Sequence, residues 1–164
     1  MSIVNRIFAS TSSWSPIALR VPLGIIFVAH GAQKLFGSFG GYGLSGTGQY
    51  FASIGLEPGV AMAALAGGAE FFGGLALIFG ALTRPASLAL AFTMLVAAVS
   101  AHGANGLFLD NGGYEYALAL LAGSVSLLIT GAGRGSVDEL ITRKLAYSEA
   151  EAVDSKPYKV SVQH

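Results

Sequence analysis

An all-α protein that crosses a membrane as a four-helix bundle follows from three features of this 164-residue chain. Its composition is 53% hydrophobic and only 11% charged, against roughly 25% charged in soluble domains, and its mean hydropathy is +0.63. Four apolar runs approach the ~20 helical residues that cross a hydrocarbon core: Ile17 to Phe36, Val60 to Ala81, Pro85 to Ala101 and Tyr114 to Thr130. Pro16, Pro58 and Pro85 stand at or just before a first helical turn, where a missing N–H does no harm.

Span one holds Pro22 in its interior, which should kink or loosen the helix around Ala18. It is too long for the apolar core of a cleavable signal peptide and lacks a small-residue cleavage site. The segment from Gly37 to Gly59 is glycine-rich and reads as an interfacial loop, with an apolar cluster at Tyr50, Phe51, Ile54 and Leu56. Span two repeats Ala63, Gly67, Gly74 and Ala81 on one face, a small-residue stripe that lets a neighbouring backbone approach. Spans three and four are short, yet far more apolar than an amphipathic soluble helix. Beyond Gly133 the chain turns polar, and Ser136 with Glu139 fits a capping box. It opens a short amphipathic helix with Val137, Leu140, Ile141 and Leu145 on one side, followed by a disordered end. The expected organisation is a transmembrane bundle over residues 1–135 and a cytoplasmic tail over 136–164.

Cytoplasmic loops are enriched in Lys and Arg. Arg6, Arg84, Arg134, Arg143 and Lys144 fall on one side, and Glu57 and Asp110 on the other, so both termini are expected in the cytoplasm. Net charge is zero and the nine basic residues do not cluster, which argues against nucleic acid as a partner. The chain has no cysteine, which removes thiolate nucleophiles, iron–sulfur clusters and Cys-ligated zinc from its own chemistry. No residue set suggests a metal site.

The chain also matches itself at an offset of 72 residues: His30-Gly31-Ala32-Gln33-Lys34-Leu35-Phe36 aligns with His102-Gly103-Ala104-Asn105-Gly106-Leu107-Phe108, and Gly40-Gly41-Tyr42 with Gly112-Gly113-Tyr114. Eight of the thirteen positions from 30 to 42 are identical to their counterparts. The pattern reads as two repeated helical hairpins related by an axis along the membrane normal.

Ionisable residues inside the spans mark candidate function, because hydrocarbon penalises them by roughly 2.5–3.5 kcal/mol on insertion scales. Glu70 lies near the middle of span two, between Gly67-Gly68 and Gly73-Gly74. Arg20, His30 and Lys34 share one stripe of span one, within about 80° at 100° per residue. By rise alone His30 lies roughly 9 Å and Glu70 roughly 16 Å below the outer end, a gap one water bridges. Arg20 approaches Glu70 from the inner side, while Lys34 is expected to snorkel to the outer interface. His102, Asn105, Tyr114 and Glu115 occupy the outer layer. We nominate Glu70, His30, His102 and Glu115 as proton-handling groups, and Arg20, Lys34, Asn105 and Tyr114 as groups that hold a polar head group.

The residues Arg20, Gly24, His30-Gly31, Lys34-Leu35-Phe36, Glu70, Gly73-Gly74, Gly80-x-x-x-Arg84, Gly113-Tyr114-Glu115-Tyr116 and Gly131-x-Gly133-Arg134-x-Ser136-x-Asp138 together resemble the DoxX family of bacterial four-helix membrane proteins. The resemblance covers about residues 15 to 140. It implies a bacterial cytoplasmic (inner) membrane protein linked to redox metabolism, associated with quinol oxidase assemblies, but supplies no agreed catalytic residues. The function expected first is a subunit of a membrane oxidoreductase that meets quinone or quinol and a redox partner protein or a further copy of itself. No flavin, NAD or iron–sulfur motif is recognisable. Electrons therefore pass through a partner or, as the minor variant, a haem between His30 and His102. A scaffold recruiting soluble enzymes and a small oligomeric proton-coupled transporter are the alternatives.

Overall fold

The computed structural model describes Phe8 and residues 11–154. Arg6, used above for orientation, and the expected disordered end past residue 154 lie outside the described residues. The chain is all-helical there: α1 (Ser15–Phe36), α2 (Gly43–Ser53), α3 (Gly59–Phe79), α4 (Thr83–Val96), α5 (Glu115–Thr130) and α6 (Val137–Asp154).

α1 opens with Pro16 in its first turn and continues through Pro22, which leaves the Ala18 carbonyl without its usual donor. It stops at Gly37, whose φ of 71° and N–H directed at the Ala32 and Gln33 carbonyls form a left-handed C-cap. α3 ends the same way at Gly80. α4 runs on into a π-helical turn, Ala97–Ala101. α1, α3 and the continuous stretch Thr83–Ala101 are each long and apolar enough to cross a membrane. α5 is apolar but has 16 residues, about 24 Å of helix against a core of ~30 Å.

α1 packs on α3, α3 on α4, α4 on α5, and α5 back on α1. Leu23, Phe27, Leu77, Leu90, Met94, Leu120 and Leu127 fill the centre. Large apolar side chains such as Leu65, Phe72, Phe92 and Ile129 face outward, as they do where lipid rather than water is the solvent.

The segment read as an interfacial loop contains a helix. α2 carries three glycines and has low intrinsic propensity, but one of them, Gly48, is what lets it dock. A Cβ on Gly48 would lie 2.8 Å from Val60 Cγ2, and a Cβ on Gly59 would lie 2.9 Å from Ala52 N. Packing against α3 thus overrides local preference.

The two self-matching segments take different forms. Residues 30–36 are helical throughout, whereas His102 closes the π turn and Gly106, at φ 75° and ψ −162°, leads the chain away. The capping box at the tail forms in part. Ser136 Oγ accepts the Glu139 N–H at 3.1 Å, while the Glu139 carboxylate takes the N–H of Gly135 at 2.9 Å. The helix it opens is 18 residues long, longer than the short helix the sequence suggests.

Candidate functional site

The register between α1 and α3 is set by two pairs of glycines. A Cβ added to Gly24 would sit 2.7 Å from the Gly74 carbonyl oxygen, and one on Gly74 would sit 2.7 Å from that of Gly24. Two turns along, a Cβ on Gly31 would run into the backbone of Phe71 and the carbonyl of Gly67. Only hydrogen fits at these crossings, so the helices meet backbone to backbone.

That approach brings Lys34 onto Glu70. Lys34 Nζ donates to Glu70 Oε2 at 2.6 Å. Glu70 is 2% exposed and the Lys34 side chain 24%, so the carboxylate is rooted in the bundle and the lysine side chain is only partly covered. This corrects the expectation that Lys34 snorkels outward. A buried carboxylate left alone costs several kcal/mol, more than the interface offers a flexible ammonium. The ammonium carries three N–H groups, and among the described residues Glu70 takes one.

His30, one turn before Lys34 on the same stripe, is half-buried, and its ring lies 5.9 Å from that of Tyr116 at 54°. Phe71, next to Glu70, meets Phe36 edge-on at 5.4 Å. The pair itself carries a donor and an acceptor side by side, which can meet a polar group of a ligand.

The other nominated residues are spent elsewhere. Arg20 does not reach Glu70. It is 1% exposed and donates to the carbonyls of Leu77 at 3.0 Å, Ile78 at 2.5 Å and Gly135 at 2.7 Å. A cation on the last turn of α3 satisfies carbonyls that have no helical partner and complements the negative helix end. His102 Nδ1 donates to the Gly112 carbonyl at 2.8 Å, and Asn105 Nδ2 reaches the same oxygen at 3.3 Å. Glu115 Oε1 accepts the Leu109 N–H at 2.6 Å, and Tyr114 N donates to the Gly106 carbonyl at 3.0 Å. These four residues tie together the loop before α5. Among the described residues no hydrogen bond joins them to His30, Lys34 or Glu70.

Tyr116 and Asp138 enter the sequence reading only as parts of family motifs and are not among the nominated site residues. Asp138 is buried and its two carboxylate oxygens accept the N–H groups of Leu82 at 2.7 Å and Thr83 at 2.9 Å. It caps α4 from 55 residues away along the chain, while its own N–H donates to the Gly80 carbonyl. The signal is Ser136-x-Asp138 following a glycine-rich turn, which reads as a local cap because nothing in the sequence reveals the distant donors of its bonds.

Comparison with known proteins places this geometry in a family. The DoxX profile matches residues 15–103, more than half of the chain. An inner membrane protein of Escherichia coli (strain K12), YqjF, is 37% identical over 134 residues, covering 78% of this chain and 92% of that protein. A Bacillus subtilis (strain 168) protein named "Putative oxidoreductase CatD" is 33% identical over 125 residues, covering 76% of this chain and 85% of its own length. No solved structure gives a significant match.

Proposed function

This chain belongs to the DoxX family of membrane proteins, and from that membership we propose that it is a redox-associated subunit whose Lys34–Glu70 pair receives the head group of a quinone or quinol. One observation carries the proposal: a carboxylate 2% exposed, in the middle of a helix long and apolar enough to cross a membrane, bonded to the amine of a partly exposed lysine side chain. Ionisable groups are retained at such depth where they handle protons, ions or ligand polarity. The relative named as an oxidoreductase supports the class of chemistry.

Oxidation of a quinol releases two protons and two electrons. Glu70 accepts a hydroxyl proton, and Lys34 donates a hydrogen bond to the carbonyl oxygen that forms. The second proton passes to solvent, and the electrons leave to a partner oxidoreductase. His30 stands one turn from Lys34 and meets the ring of Tyr116, and on this reading the start of α1 and the end of α5 face the cytoplasm.

Purification in mild detergent, followed by a visible spectrum and quinone analysis of the lipid extract, tests this. Co-purified quinone, or saturable binding of an added short-tail quinone, is expected. A quinone-free preparation that does not bind the analogue contradicts it. An accessory role in recruiting soluble enzymes is favoured by α6, 18 residues long with an exposed surface. Its test is truncation after Thr142, since Ser136 and Asp138 are part of the bundle and must stay.

A further inference from the structure

We propose that the cleft between the segment before α1 and the first turns of α6 is a site for a phosphate-type oxyanion, filled in the membrane by the phosphodiester of a lipid head group. The cleft, about 220 Å³, is lined by Thr11, Ser12, Arg134, Glu139, Thr142 and Arg143. That is several times the ~30 Å³ share of one liquid water.

Its walls are built by hydrogen bonds. Thr11 N donates to the Thr130 carbonyl at 3.2 Å and Arg134 N to that of Ser13 at 2.9 Å, which clasps residues 11–13 to the turn after α5. Gly133 and Gly135, at φ 73° and 66°, shape that turn. Thr142 Oγ1 donates at 2.9 Å to the Asp138 carbonyl and lies 3.0 Å from that of Phe8. Glu139 is used on both oxygens, one by Gly135 N–H at 2.9 Å and the other by Arg143 Nη2 at 2.7 Å.

The remaining charge is the point. Among the described residues two guanidiniums and one carboxylate line the cleft, one net positive charge, which matches the single negative charge of a phosphodiester better than the two of a phosphate monoester. Among the described residues the Arg134 guanidinium has no hydrogen-bond partner, and Arg143 spends one N–H of its fork on Glu139. Guanidinium binds phosphate oxygens in two-point fashion.

Position selects the source. The cleft is lined by residues just before the start of α1 and just past the end of α5. Trp14 stands beside it, 59% exposed, its ring 3.1 Å from where a Gly135 Cβ would be. Trp is enriched at head-group depth.

Trp14 is the chain's single tryptophan and serves as the probe. In mixed micelles, quenching of Trp14 by brominated phosphatidylglycerol should reach half-saturation at about fivefold lower mole fraction than quenching by brominated phosphatidylcholine. Arg134→Gln should bring the two lipids to within twofold. Glu139→Gln, which removes the competing carboxylate, should strengthen phosphatidylglycerol quenching at least twofold, a gain that a merely structural role would not produce. Relief of the quenching by millimolar inorganic phosphate would support the oxyanion site and assign it to a soluble source. Equal quenching by both lipids in the native protein, with no response to phosphate or to either variant, would overturn the proposal. These readouts do not involve quinone and stand or fall separately from the function proposed above.

Discussion

Replacing Lys34 with Met removes the counter-charge and leaves the Glu70 carboxylate buried in apolar surroundings. At the observed 2.6 Å, the Coulomb attraction is about 6 kcal/mol gross with an effective dielectric of 20. Desolvation of both groups offsets much of this, so the pair adds little over an apolar replacement, but loss of one partner alone costs about 3–5 kcal/mol. At roughly 2–4 °C per kcal/mol for a chain of this size, Lys34→Met should lower Tm by roughly 6–20 °C. The double variant Lys34→Met/Glu70→Leu should recover most of the loss, because it leaves no orphaned charge. Thermal unfolding in detergent, followed through Trp14 emission and the monodisperse elution peak, measures all three. A Lys34→Met protein within about 2 °C of the parent would refute the reasoning, as would a double variant whose loss equals the sum of the single losses.

Gly74→Ala forces a methyl against the Gly24 carbonyl and Val28 and should cost about 1–3 kcal/mol, whereas Gly68→Ala, with nothing within 4 Å, should be neutral or stabilising; paired thermal melts distinguish them. Asp138→Ala leaves the N–H groups of Leu82 and Thr83 without acceptors and should destabilise by about 2–4 kcal/mol. Thermal unfolding in detergent should then show a Tm roughly 4–16 °C below that of the parent protein. Because the chain contains no cysteine, Ser148→Cys gives a single label site. An impermeant maleimide should modify it in inverted vesicles and not in intact cells, and the reverse pattern would turn the bundle over.

Much of the bundle was legible because hydrocarbon imposes a coarse rule: long apolar runs bounded by Pro16, Pro58 and Pro85 have few other forms to take. The glycine stripe on span two was also readable, and Gly67 and Gly74 do lie at the closest approach of α1. What the stripe does not reveal is the register of the neighbour. Lys34 meets Glu70 only because Gly24 opposes Gly74 and Gly31 opposes Gly67, an alignment between elements 36 residues apart at the ion pair. A single-helix view of Lys34 sees an interface nearby and a long side chain, and sends it there. Arg20 misleads in the opposite sense. It sits on the same stripe as His30 and Lys34, yet the carbonyls it serves belong to the end of α3 and to the turn before α6. Likewise α2 is hidden by its glycines, since its stability lies in contact with α3 and not in its own sequence.

Photo-crosslinking with an azido-quinone in native membranes tests the Lys34–Glu70 site most directly. The adduct, mapped by mass spectrometry and displaced by excess unmodified quinone, should fall on the peptides that contain residues 30–36 and 67–72, and Glu70→Gln should reduce it at least tenfold. Labelling that excess quinone does not displace, or that maps only to the lipid-facing surfaces of α4 and α5, would contradict the account.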